Sequence, residues 1–218
     1  MNDINIINDE ITLKQERKAD LYIQVFWEEP RNEWYVCPDC EKIFWLSEIT
    51  KNKLTQCLCG GSLKAYYDNN SIQDDWTKRT EKEWYIWKLA QTLDQNFIWF
   101  MMGRKDSMNN LNQEKMWLEN DNLIELQEWI KYIYPDFDLN NFFYVAEVGV
   151  QKEYRGQWIA SKLFTNAVLE AKERGYNYVL LRTTMKEGGP YQWRRNIWYK
   201  VVYKYKDENQ RVIMVNAC

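Results

Sequence analysis

The stretch FFYVAEVGVQKEYRGQWIASKLFTNAVLEAKER, residues 142–174, decides the fold, because it reads as a strand, a glycine turn and a helix in succession. Residues 142–150 are aromatic and β-branched, which is typical of a buried strand. From Ile159 to Arg174 apolar residues recur at helical spacing, so one face of the helix is apolar. The turn at Gly156 opens directly onto that helix. A helix start presents unpaired N–H groups and a partial positive charge, which together favour a phosphate group.

This junction resembles motif A of the GCN5-related N-acetyltransferases, whose signature is Arg/Gln-x-x-Gly-x-Gly/Ala. Arg155 and Ala160 match the signature, whereas Trp158 stands where the family usually has glycine. The resemblance implies that the turn binds the pyrophosphate of acetyl-CoA. It also implies that the pantetheine arm pairs with the edge of the preceding strand. The cofactor-binding residues would then be Val148, Gly149, Val150, Arg155, Gly156, Gln157, Trp158, Ile159, Ala160 and Ser161.

The resemblance continues to about Ala217. Residues 175–184 resemble the fifth strand of the family, and residues 198–205 and 211–215 read as its terminal hairpin. Gly188-Gly189-Pro190 falls where the last helix of the family begins. The predicted fold is therefore the mixed α/β sheet of the acyl-CoA N-acyltransferases.

The match at the turn is short, a bulky Trp158 would crowd the pyrophosphate unless its ring turns away, and the tyrosine that the family often uses as an acid is missing from its aligned position. Two other interpretations therefore stay open. One is an ordinary strand–helix unit without a ligand. The other is a catalytically inactive module that keeps the fold as a scaffold, while its cysteine-rich segment engages a protein or a nucleic acid.

Four cysteines are arranged as two close pairs. The first pair is Cys37-Pro-Asp-Cys40, and the second is Cys57-Leu-Cys59, followed by Gly60-Gly61. Four thiolates in a tetrahedral arrangement are what structural zinc prefers, so residues 34–67 are predicted to form a zinc ribbon. Free thiols, disulfides and another metal are the alternatives. The fifth cysteine, Cys218, is predicted to be a frayed surface thiol.

The chain contains no histidine, so proton transfer must use carboxylates, tyrosines, lysines, cysteines or water. The resemblance implies direct attack of an amine on the thioester in a ternary complex. Glu147 is the candidate base, since it is the carboxylate nearest to the end of the strand. Tyr191 and Tyr199 are the candidate acids, although the family position of that tyrosine aligns with Arg194.

Two helices and a strand are predicted between the ribbon and the motif. Residues 72–95 begin with two aspartates and carry Ile86, Leu89, Ala90 and Leu93 on one side. Residues 122–134 carry Leu123, Leu126, Ile130 and Ile133 on one face, and Asn122 and Glu125 have capping-box spacing. Residues 97–102 are wholly apolar and predict a buried strand.

The predicted domains are residues 1–33, 34–67 and 68–218. The first is an N-terminal segment with one strand at residues 21–27, the second is the ribbon, and the third is the acetyltransferase-like domain.

Composition limits the partners. The formal net charge of −3 argues against an extended polyanion, and the aromatic and basic run at residues 191–199 is more typical of a core than of a nucleic-acid surface. Residues 1–5 have no basic start, and residues 97–102 are too short to span a bilayer. We expect a cytoplasmic protein whose partners are acetyl-CoA and a small-molecule or protein amine.

Overall fold

A computed structural model describes residues 4–8, 34–45, 49, 52–65, 85–94, 96–185, 199–206 and 210–218. The predicted strand at residues 21–27, the predicted last helix and Tyr191 lie outside these ranges, as do residues 72–84. Within the described part of the chain, no helix is long and apolar enough to cross a membrane.

The described strands and α-helices, in chain order, are β1 (Ile4–Asn8), β2 (Trp34–Val36), β3 (Ile43–Trp45), β4 (Lys64–Ala65), β5 (Tyr85–Thr92), β6 (Phe97–Asp106), α1 (Met108–Leu111), α2 (Asn120–Ile133), β7 (Phe142–Val150), α3 (Ile159–Glu173), β8 (Tyr178–Thr184), β9 (Lys200–Lys204) and β10 (Arg211–Ala217). A π-helical turn, Asn112–Met116, follows α1, and a 3₁₀ turn, Lys152–Tyr154, follows β7.

The strands form two sheets. Seven strands pair in the order β1-β5-β6-β7-β8-β10-β9, and three short strands pair in the order β3-β2-β4. β7 and β8 are parallel, while β10 is antiparallel to both β8 and β9. The helix α3 provides the crossover that two parallel neighbours require. The prediction of a mixed α/β sheet is confirmed.

The chain divides into two compact units. The first comprises Met1–Glu83, Leu89–Trp99 and Gly149–Ile159. The second comprises Trp84–Lys88, Phe100–Val148 and Ala160–Cys218. The first contains the cysteine-rich sheet and the turn after β7, and the second contains most of β7, α2 and the terminal strands. β1 joins the seven-stranded sheet from outside the predicted third domain, and the predicted domain boundaries stay predictions.

In the second unit α2 covers one face of the sheet, as its sequence pattern predicts. Leu126 and Ile130 are buried in a cluster that includes Tyr144, Leu180 and Ile213. The predicted capping box is wrong, because the helix begins at Asn120 and its N-cap is Glu119, without a side-chain cap hydrogen bond.

The predicted helix over residues 72–95 is wrong in its described part. Residues Tyr85–Thr92 form strand β5, and all residues from 85 to 90 are buried. A strand that is covered on both faces shows an unbroken apolar run, which helical spacing can also fit over a few residues. Leu93, predicted on the apolar side, is 66% exposed in the turn that follows.

The other predicted elements that are described are confirmed. Strand 97–102 is present and extends to Asp106, and the terminal hairpin is formed by β9 and β10. The predicted apolar face of α3 is buried at Leu163, Phe164, Ala167 and Ala171.

Cys218 is not a frayed surface thiol. It is half-buried, and its backbone N–H donates to Asn177 O at 2.9 Å. Burial raises the pKa of its thiol to about 11.

Candidate functional site

β7 continues past its ladder with β8. Three residue pairs join the two strands, and the last of them is Val145–Leu181. Among the described residues, β7 then runs five positions further, to Val150, without a partner position on β8. Glu147 and Val148 lie on this stretch, so the candidate base and the predicted pantetheine edge are both at the point where the strands separate.

The turn after β7 is anchored to β6. The backbone N–H of Gln151 donates to Ile98 O at 3.0 Å, and the Gln151 side chain donates to Phe97 O at 3.3 Å. Arg155 Nε donates back to Val150 O at 3.3 Å, while the side chain as a whole is exposed. These bonds fix where the chain leaves β7 and enters the predicted phosphate-binding turn.

Two residues of this turn have a left-handed backbone. Gly156 has φ +80° and Trp158 has φ +61°, and α3 begins at the next residue, Ile159. Trp158 is 73% exposed, so its ring is not part of the core. The tryptophan at the family's glycine position therefore keeps a backbone conformation that favours glycine.

The predicted cofactor-binding residues form two runs along the chain, 148–150 and 155–161. Val148, Gly149 and Val150 end β7; Arg155, Gly156, Gln157 and Trp158 form the exposed turn; Ile159, Ala160 and Ser161 open α3. The first turn of α3 contains no acidic residue. The positive end of this helix is therefore not neutralised from within the helix, which suits an anionic ligand.

The three candidate catalytic residues do not lie together on one element. Glu147 is half-buried on β7. Tyr199 is 6% exposed, and its ring packs edge-on against Phe164 of α3, with the centroids 5.6 Å apart. Tyr191 lies outside the described residues. The roles of all three stay predictions.

The four cysteines of the two pairs lie together. Their sulfur atoms are all within 4.8 Å of one another, with Cys37 Sγ 3.4 Å from Cys59 Sγ and Cys40 Sγ 3.5 Å from Cys57 Sγ. Tetrahedral zinc with Zn–S bonds of about 2.3 Å separates its sulfurs by about 3.8 Å. The observed spacing fits a four-thiolate zinc ribbon.

The local backbone supports the same interpretation. Cys37 N–H donates to Lys42 O and Cys57 N–H to Gly61 O, each at 2.9 Å, which closes one turn around each pair. A Cβ added at Gly61 would lie 2.7 Å from Cys37 Sγ, so only glycine fits there. The backbone N–H of Cys59 lowers the pKa of the Cys57 thiol to about 7. The Gly61 backbone N–H lowers the pKa of the Cys59 thiol, but the thiols of the other three cysteines outweigh this effect and raise that pKa to about 12.

Sequence reasoning missed a cluster around Arg182. This arginine interrupts the apolar strand β8, and its guanidinium lies 5.9 Å from the ring centre of Trp117. A charged residue within the run Tyr-Val-Leu-Leu-Arg-Thr-Thr was the available signal.

No family model matches the chain, and no curated protein matches its sequence. Solved structures do match it over nearly its whole length. The PaiA N-acetyltransferase from Thermoplasma acidophilum, in complex with coenzyme A, is 11% identical, with a TM-score of 0.54 and 99% of each chain covered.

Two further structures are similar. The mosquito arylalkylamine N-acetyltransferase like 5b is 13% identical, with a TM-score of 0.60, and the match covers 99% of this chain and 100% of that one. The GNAT family N-acetyltransferase YhbS from Escherichia coli, in complex with CoA, is 12% identical with a TM-score of 0.53, over 100% and 82% of the two chains. At these identities the likeness shows the fold, and the predicted acyl-CoA N-acyltransferase fold is confirmed.

Proposed function

We propose that this chain, which has the fold of the GCN5-related N-acetyltransferases, is an acetyl-CoA-dependent N-acetyltransferase. One observation carries the proposal: β7 separates from β8 after Val145 and leads into a left-handed turn at the N-terminus of α3. A strand edge beyond the ladder can bind an extended arm, and the turn beside it can bind a phosphate.

The turn supplies donors for the phosphates. The first N–H groups of α3 have no carbonyl within the helix to bind, so they can donate to an anion placed at the turn. Gly156 and Trp158 have the backbone conformation that curves the chain around such an anion. Arg155 is exposed beside them and can add its charge.

Acetyl-CoA, when bound, supplies a thioester whose carbonyl carbon is attacked by a neutral amine. A carbon–nitrogen bond forms, the carbon–sulfur bond breaks, and the electron pair leaves with sulfur. Glu147 would accept the proton that the amine loses, directly or through water. Tyr199 or Tyr191 would donate a proton to the leaving thiolate. Glu147 is well placed for this role because it lies just beyond the last β7–β8 pair.

The cysteine cluster would hold one structural zinc ion. Cys37, Cys40, Cys57 and Cys59 provide four sulfur ligands, which fill a tetrahedral shell and leave no position for a substrate. The ion would stabilise the small three-stranded sheet β3-β2-β4, whose own core is a few residues around Phe44.

The alternative of an inactive scaffold was favoured by crowding at Trp158 and by the tyrosine that is missing from its family position. The left-handed backbone and the exposed ring of Trp158 weaken the first argument. The second is tested by the substitutions of Tyr191 and Tyr199, and the enzymatic proposal is the one carried forward.

A coupled assay tests the proposal. Purified protein is incubated with acetyl-CoA and pools of amines, comprising amino acids, peptides, polyamines, arylalkylamines and aminoglycosides. Thiol release is measured, and products are identified by mass spectrometry. At least one pool should release thiol with a matching acetylated product. If none of the amine pools increases thiol release, the result contradicts an N-acetyltransferase activity.

A further inference from the structure

Arg182 occupies a special position on β8. It is the first residue beyond the last ladder pair, Val145–Leu181, so it stands where β7 and β8 stop pairing. The stretch of β7 that has no partner position on β8 carries the half-buried Glu147 and Val148. A group bound by Arg182 would therefore lie next to the place proposed for the thioester.

The described contacts of Arg182 are neutral. Its Nη1 donates to the backbone carbonyl of Lys115, and its charge lies near the hydroxyl of Tyr205. The ion pairs found among the described residues do not include a carboxylate on Arg182. A guanidinium has five N–H donors, and this bond leaves others for a ligand.

Tyr205 does not neutralise this charge. Burial raises the pKa of its phenol to about 12, so it stays an uncharged hydroxyl at physiological pH. The guanidinium of Arg211 lies 5.0 Å from the centre of the same ring. Arg182 and Arg211 thus both lie beside the uncharged Tyr205.

The exposed ring of Trp117 is held near Arg182 by a constrained turn. Trp117 has φ +52°, which is uncommon for a bulky residue, and it is 67% exposed. The backbone N–H of Trp117 donates to Asn112 O at 2.8 Å. The Asn112 side chain accepts from Leu118 N at 2.8 Å and donates to Leu118 O at 3.1 Å.

This turn ends the π-helical segment Asn112–Met116, and π-helical turns are frequent at functional sites. The strain at Trp117 and the side-chain clamp from Asn112 keep a large ring in solvent, where it contributes little to the core. Strained backbone and an exposed ring together point to a ligand contact.

We propose that Arg182 and Trp117 bind a carboxylate of the acceptor, so that the acceptor class is an amine that also carries a carboxylate, namely an amino acid or a short peptide. The inference rests on the proposed acetyltransferase function. The planar guanidinium of Arg182 matches a carboxylate in two parallel hydrogen bonds, and the ring of Trp117 covers the group from one side. The amine end of the acceptor then faces the separation between β7 and β8.

Kinetics test the inference with matched acceptors. A mixture of amino acids is compared with a mixture of the corresponding amino-acid amides, which lack the charge. The wild type should prefer the amino acids. Arg182→Gln should raise KM for the amino acids by about tenfold to a hundredfold, while KM for the amides stays unchanged. Arg182→Lys should give an intermediate KM. The control is Arg174→Gln, which removes an arginine that pairs with Glu170 on α3; it should behave as the wild type.

A binding measurement separates this inference from the proposed enzymatic function. N-acetylated amino acids and their amides are tested by thermal shift, in the presence and absence of CoA. The acids should stabilise the wild type and not Arg182→Gln, whether or not CoA binds. Equal stabilisation of both proteins, or equal use of acids and amides by the wild type, would overturn the carboxylate site. A wild type that binds the acids but shows no shift with CoA would instead overturn the enzymatic proposal.

Discussion

Gly156 and Trp158, two residues apart in the turn before α3, share a left-handed backbone, with φ values of +80° and +61°. The resemblance to motif A expects glycine at the second position. The backbone meets that expectation although the side chain does not. A tryptophan in this conformation carries strain of about 1 kcal/mol that a glycine would not carry.

Trp158→Gly should therefore stabilise the protein. Because Trp158 is 73% exposed, removal of its ring takes away little buried surface. We expect the free energy of unfolding to rise by up to about 1 kcal/mol, measured by urea denaturation. Binding of CoA should persist, because the turn keeps its shape.

Trp158→Ala is the matched control. It removes the ring, but alanine still has a Cβ and therefore keeps the strain of a positive φ. It should not stabilise the protein. A loss of several kcal/mol in Trp158→Gly would mean that the ring is a core anchor after all.

Gly156→Glu should abolish CoA binding. The position is open, with no atom within 4 Å of an added Cβ, so the effect would come from backbone strain and from a negative charge at the phosphate site. Gly175→Glu provides the control. Gly175 has φ +87° and equally open space, but it follows the C-terminal end of α3. Both variants should lose similar stability, and only Gly156→Glu should lose the thermal shift with CoA.

One zinc ion per chain should be found by metal analysis of protein purified without chelator. Chelation or Cys37→Ser should unfold the sheet β3-β2-β4, because its core is small without the ion. The affinity for CoA should stay largely intact, since the described anchors of the turn are on β6. Cys218→Ser is the control and should keep the metal. Metal-free protein with an intact ribbon would contradict a structural zinc site.

The ion pair between Lys88 and Glu170 should make stability depend on pH. Lys88 Nζ lies 2.5 Å from Glu170 Oε2, and the Lys88 side chain is almost fully buried. Burial by itself raises the pKa of Glu170, but Lys88 and Arg174 lower it below the usual value of 4.5. A lowered pKa in the folded state means that this stabilisation is present above about pH 4.5 and is lost as the pH falls further.

Glu170→Gln should therefore destabilise the protein by about 2 kcal/mol at pH 7, because Lys88 keeps a buried charge without its anion. The difference in the free energy of unfolding between this variant and the wild type should shrink as the pH falls below 4.5. Glu173→Gln, an exposed neighbour on α3, should match the wild type throughout. If the free energies of unfolding of wild type and Glu170→Gln differ by the same amount at pH 4 and pH 7, the pair does not titrate in this way.

Substitution of the candidate catalytic residues should slow turnover without loss of CoA binding. Glu147→Gln and Tyr191→Phe should each lower kcat by about tenfold to a thousandfold. Tyr199→Phe tests the other tyrosine. Because Tyr199 is buried against Phe164, the thermal stability of this variant is measured as well. Since the chain has no histidine, an inflection near pH 6.5 would indicate a carboxylate with a raised pKa. Wild-type rates in all three variants would assign catalysis to positioning alone.

The sequence predicts the site-forming elements because each carries a regular pattern. β7 is aromatic and β-branched, α3 has an apolar face, and the four cysteines have ligand spacing. These patterns depend on neighbours along the chain, so they can be read without the fold. The strand β5 could not be read in this way, because it is buried on both faces and its apolar run also fits a helix.

Two features of the site depend on contacts that no local pattern records. The positive φ of Trp158 is set by the turn that joins β7 to α3, and the residue type alone argues against it. The environment of Arg182 is built by residues from distant positions, among them Lys115, Trp117 and Tyr205. Sequence reasoning can find an arginine in an apolar strand, but it cannot say which rings and carbonyls surround it.

Calorimetric titration with CoA and acetyl-CoA tests the central claim most directly, since the proposed function requires the turn before α3 to bind the phosphates that both molecules share. The wild type and Gly175→Glu should each bind one molecule per chain, with similar affinity for the two ligands, and Gly156→Glu should bind neither. Absence of heat and of any thermal shift with the wild type at millimolar CoA would contradict the account, as would unchanged binding by Gly156→Glu.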